Sequence, residues 1–165
     1  MRQAGYIFIL LLLIPVQTTV VDHLSIYGIK PDLGLIIVYW IGFGMGEMDG
    51  VVMGVLIGTV KDLFSGGVLG TNLLTKPIIG GLAGLLGRVV LDARVLFSMG
   101  ILFGLSILSG FLIYLFLKFF EGEMAFGEVF RWIILPQALY DAAVGALLFS
   151  LVPRTWRMRR MAMET

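Results

Sequence analysis

The chain has 165 residues, 59% of them hydrophobic and only 14% charged, and a net charge of +1. A soluble domain carries roughly 25% charged residues, and a globule this small leaves too much surface in water to hide such an apolar excess. Composition therefore excludes an ordinary soluble protein and points to lipid as the solvent. The near-neutral balance gives no reason to expect a nucleic acid. The absence of cysteine excludes disulfides, thiolate catalysis and Cys-ligated metals, and the single histidine, His23, makes a His-based metal site or a Ser–His–Asp triad improbable.

A membrane-spanning helix needs about 20 apolar residues. Six apolar runs follow one another, at about 5–21, 33–46, 50–64, 69–88, 95–120 and 129–152, with a basic tail at 153–165. The first begins like a signal sequence, with Arg2 ahead of an apolar stretch, but no small-x-small cleavage site follows, so an uncleaved first span is expected. The second and third runs, separated by the acidic pair Glu47 and Asp49, are short. They read either as two short spans or as one re-entrant hairpin, and two spans are preferred. The fifth run is the longest. The whole reads as an all-α membrane protein, a single polytopic domain of six transmembrane helices.

Charge gives the orientation. With six spans both termini share a side that also holds Arg2, Arg88, Arg94, Arg154, Arg157, Arg159 and Arg160. An arginine-rich side is cytoplasmic by the positive-inside rule. The cluster Arg154, Arg157, Arg159 and Arg160 then suits anionic lipid at the inner surface, with binding of a cytoplasmic protein as the alternative.

Within the runs, small residues recur every four positions. Gly50, Gly54 and Gly58 lead to Asp62; Lys76 leads to Gly80, Gly84 and Arg88. Residues four apart share a helix face, so each run presents a strip where another backbone can approach closely. Such approach favours helix association in lipid, where no hydrophobic drive exists between helices. The strips serve either packing within the bundle or a partner's transmembrane helix. Asp62 and Lys76 flank a turn, and a lone charge in hydrocarbon costs about 2.5–3.5 kcal/mol on insertion scales, so contact between the two, direct or through water, is expected. Asp141 lies midway along the sixth run and must face the interior or a partner; Gln137, one turn away, can donate to it. Asn72 joins these as a candidate intramembrane polar contact. No Walker, dinucleotide or HExxH pattern is present, so neither a catalytic site nor a cofactor is expected.

The segment Lys30-Pro31-Asp32-Leu33, the spaced glycines 50, 54 and 58, and the stretch Asp62-Leu63-Phe64-Ser65-Gly66-Gly67-Val68-Leu69-Gly70-Thr71-Asn72 form a recognisable order. Leu135-Pro136, Tyr140-Asp141 and Pro153-Arg154 continue it. This order resembles the rod shape-determining protein MreD family, which often carries Asn at the position of Asp141. The resemblance implies a non-enzymatic inner-membrane component of the bacterial elongation machinery. Its partners would be membrane lipids, bitopic MreC, MreB and the RodA–penicillin-binding-protein synthase. It also implies a six-helix fold like the substrate-binding subunits of energy-coupling-factor transporters. That fold supplies the alternative function, a vitamin-like solute-binding subunit, for which Tyr39, Trp40 and Trp132 would have to line an apolar pocket.

Overall fold

A computed structural model describes residues 28–64, 68–89, 95–122 and 125–151. The expected first span, His23 and the arginines of the tail lie outside these residues. The described elements are helices: α1 (Leu33–Met45), α2 (Glu47–Phe64), α3 (Thr71–Val89), α4 (Val95–Glu121), α5 (Phe126–Val129) and α6 (Leu135–Leu151), with a π-helical stretch, Phe130–Ile134, joining the last two.

Among the described residues two stretches are long and apolar enough to cross a membrane, Leu96–Phe120 and Phe126–Ser150. At 1.5 Å per residue α4 extends about 40 Å, against about 30 Å of hydrocarbon. By the same measure α1 extends only about 20 Å, and its start is buried: Pro31 and Asp32 lie inside the bundle. Asp32 caps it, its side chain accepting the Leu35 N–H at 2.9 Å. An N-cap carboxylate satisfies one of the four donors a helix start leaves open.

α1 and α2 fold back on each other about Gly46. That residue has φ 119°, in the left-handed region that glycine enters without strain. Its N–H closes α1 on the Gly42 carbonyl. The expected acidic turn is therefore the first turn of α2, where Glu47 and Asp49 lie at the positive end of the helix dipole. Glu47 also meets Arg88 at 3.1 Å, joining the start of α2 to the end of α3.

Prolines shape the other helices. Pro77, inside α3, removes the N–H that would bond the Leu73 carbonyl. Pro136 would press on the Trp132 carbonyl of a regular helix. Just before it the chain widens by one residue, and the Leu135 N–H reaches back five residues to the Phe130 carbonyl.

The glycine strips set how closely α1, α2 and α3 pack. A Cβ built on Gly54 would stand 2.6 Å from the Lys76 carbonyl, and one on Gly58 would meet the Asn72 carbonyl. Gly50 and Gly80 meet backbone to backbone, Gly42 of α1 joins them, and Gly84 lies against the Glu47 backbone. All five glycines singled out in the sequence thus face the chain's own helices. The alternative that a strip lies open for a partner is corrected: its surface is already covered, because two glycine-lined backbones fit each other more closely than side chains would allow. Gly100 and Gly104 of α4 are different, with nothing within 4 Å of a built Cβ. Around the crossing, Leu35, Ile36 and Tyr39 of α1 pack with Ile79, Ala83, Leu102 and Leu105, and Val38 and Ile41 pack with Met53 and Ile57 of α2.

Candidate functional site

The start of α1 sits in a cluster of ionisable and polar side chains to which each of the five long helices contributes. Asp32 precedes α1. Its Oδ1 lies 2.9 Å from the Lys61 Nζ of α2, and its Oδ2 accepts from the Lys76 Nζ of α3. Its backbone N–H donates to Asp141 Oδ1 of α6 at 2.6 Å. The Ser106 hydroxyl of α4 donates to Asp141 Oδ2, also at 2.6 Å. Lys76 and Asp141 are fully buried, and Asp32 and Ser106 nearly so. Two carboxylates and two ammonium groups give formal charges that cancel. Ser106 and Asp141 lie near the middle of the two long apolar stretches, so the cluster sits at mid-depth. Buried charge is tolerated at such a depth only when paired or hydrogen-bonded: Asp32 pairs with both lysines, and Asp141 accepts two hydrogen bonds.

The direct form of the expected contact between Asp62 and Lys76 is corrected: each side chain bonds other partners. Lys76 is the sixth residue of α3 and Asp62 the third from the end of α2, so the two face different levels. Asp62 instead takes up the open donors at the start of α3. It accepts the N–H groups of Gly70 at 3.0 Å, Asn72 at 3.0 Å and Leu73 at 2.8 Å, and the Asn72 side-chain amide at 2.9 Å. A carboxylate at a helix N-terminus is favoured by both the free N–H groups and the dipole. Asn72 is thus a partner of Asp62. Replacing Asp62 by alanine strands these donors and is expected to lower stability by about 1–3 kcal/mol, with Asp62→Asn falling between. Thermal unfolding of the full chain in detergent measures this; an Asp62→Ala midpoint equal to wild type would show that the cap contributes nothing.

Asp141 faces the interior and takes its hydrogen bonds from Ser106 and from Asp32, not from Gln137, which lines a small cavity beside it. The sequence reading passed over Asp32, Lys61 and Ser106. One signal is present: Pro31-Asp32 directly ahead of an apolar run is a helix-start signature, which places Asp32 on a helix end.

Among the described residues no group of His, Asp and Glu side chains could hold a metal ion. Two cavities among the described residues measure about 10 and 20 Å³, far below the roughly 300–1,000 Å³ of a small-molecule pocket. Tyr39 and Trp40 line the smaller one with Ser98, but the Tyr39 hydroxyl is already bonded to Ser98 at 2.6 Å. Trp132 points outward, 67% exposed.

Helices suited to lipid, held by a charge-balanced cluster at mid-depth, define an all-helical membrane protein. Comparison with known families narrows the class. The model of the rod shape-determining protein MreD family matches residues 1–158, and the chain belongs to that family. The family is part of the MreBCD shape machinery, with a role in rod-shape determination, and is known for shape-determining membrane proteins rather than for enzymes. No curated protein and no solved structure matches the chain.

Proposed function

We propose that this protein is a non-enzymatic scaffold of the bacterial elongation machinery, linking MreC and MreB with the RodA–penicillin-binding-protein synthase. Membership of the MreD family carries the reading. The site adds to it: the buried charges hold the chain's own helices together and surround no room for a substrate. A scaffold needs such a rigid core and leaves its outer faces to lipid and partner helices. The energy-coupling-factor alternative requires a ligand pocket, and the small cavities give it no support.

In this reading the chain crosses the bacterial inner membrane six times, with both termini and the tail Arg154, Arg157, Arg159 and Arg160 in the cytoplasm against anionic lipid. The alternation of the helices fits this. The Glu47–Arg88 end and the start of α4 lie toward one side; the turn before α3 and the end of α4 lie toward the other, where Gly70 comes close to Phe116. The arginine distribution makes the first side cytoplasmic. Gentle solubilisation of membranes and affinity capture of the full chain tests the function. Co-purification of the bitopic MreC is expected; recovery of a bound small molecule with no bitopic partner would sink the scaffold reading.

A further inference from the structure

We infer that the cavity beside Asp141 is a binding site for one water molecule, held by Ser109, Gln137 and the Asp141 carboxylate, which fastens α4 to α6 at mid-depth. The cavity has a volume of about 20 Å³. One water needs about 10–15 Å³ by this measure and two to four polar partners, so the space takes one water and nothing larger. Its polar lining comes from Asp32, Ser106, Ser109, Gln137 and Asp141. Four of these residues lie on the two facing helices, α4 and α6.

The independent observation is Ser109. Its side chain is 2% exposed, and its Oγ makes no hydrogen bond within the protein. A buried hydroxyl is ordinarily paired, with protein or with ordered water. A water between Ser109, Gln137 and Asp141 completes that pairing. It also carries the link from Gln137 to Asp141 that no direct bond makes. The smaller cavity beside Tyr39 is the contrast: its hydroxyls bond each other, and it gives a water no unpaired partner.

Local backbone shapes one wall of the space. The π-helical stretch ends at Ile134, which lines the cavity. Gly110 opposite admits the Ile134 side chain, since a Cβ there would stand 2.9 Å from it. The widened turn ahead of Pro136 thus borders the cavity, with Ile134 and Gly110 closing one wall of it. π-helical turns of this kind are found frequently at functional sites. A bridging water is nearly as favourable as a direct hydrogen bond.

Ser109→Ala decides the question by sign. Removing an unpaired buried hydroxyl should leave the thermal midpoint unchanged or raise it; removing one that holds a water should lower it. The full chain in detergent is compared with Ser109→Ala, Gln137→Leu and the double variant. We expect each single variant to melt several degrees below wild type, and the double variant to lose less than the two losses added, because both side chains hold the same molecule. The wild-type midpoint should be the same in sodium, potassium and choline chloride. A Ser109→Ala midpoint at or above wild type would overturn the inference, as would strictly additive losses. A midpoint that rises with sodium but not choline would put a cation in the site and overturn it equally.

Discussion

Lys76→Met is expected to destabilise the protein by about 3–5 kcal/mol, the range for removing one partner of a buried ion pair. Lys76 is completely buried and bonded to Asp32. Its loss leaves that carboxylate at mid-depth with Lys61 as its one remaining cation. Lys61 keeps 21% of its side chain exposed, so it is less completely enclosed than Lys76. Lys61→Met should therefore cost less than Lys76→Met. The double variant Asp32→Asn/Lys76→Met should recover much of the loss. Asparagine keeps the cap on the Leu35 N–H while removing the charge, and neutralising a whole buried pair is far milder than breaking it. Unfolding midpoints in detergent, arranged as a double-mutant cycle, measure the coupling. Equal effects of Lys76→Met and Lys61→Met would remove the ion pair from its central place.

The second large effect is expected at the glycine crossing. Gly50→Leu and Gly80→Leu place a side chain against the facing backbone, which cannot rotate aside as a side chain can. Overpacking of a yielding core costs about 1–3 kcal/mol; here the helices must separate, and the cost should exceed that range. Gly54→Leu and Gly58→Leu should act in the same direction, against the Lys76 and Asn72 backbones. Insertion into the membrane should persist, since hydropathy is unchanged or raised. Gly104→Leu is the control: its position is open, and its stability should stay near wild type. Protease resistance in isolated membranes, read beside membrane-fraction yield, separates packing from insertion. Captured MreC should then fall with Gly50→Leu because the bundle is disturbed, not because a docking strip is filled.

These two predictions rest on different kinds of information. The glycine period and the apolar runs are local, since a four-residue repeat fixes a helix face before any neighbour is known. Lipid as the solvent likewise follows from composition alone, and the position of Asp141 within an apolar run demands that it face the interior or a partner, because a charge in hydrocarbon is costly. The order of residues from Lys30 to Asn72, continued to Pro153-Arg154, suggests the MreD family.

The partners of those charges were decided only by tertiary structure. Lys76 passes over Asp62, its near neighbour in sequence, for Asp32, 44 positions away. Asp141 reaches the backbone of Asp32 across 109 positions. Chain separation gives no measure of depth in a bundle: Asp62 lies where α2 ends and α3 begins, and the open N–H groups of that helix start claim it first. Asp32 joins the buried charges because α1 begins inside the protein rather than at the membrane surface. Whether the glycine strips were covered also had to wait for the fold, since a strip fits a partner's backbone and the chain's own equally well. The sequence by itself determined that charges must be paired and glycines closely packed; the fold decided with what, because pairing depends on distance and depth, which a one-dimensional pattern does not contain.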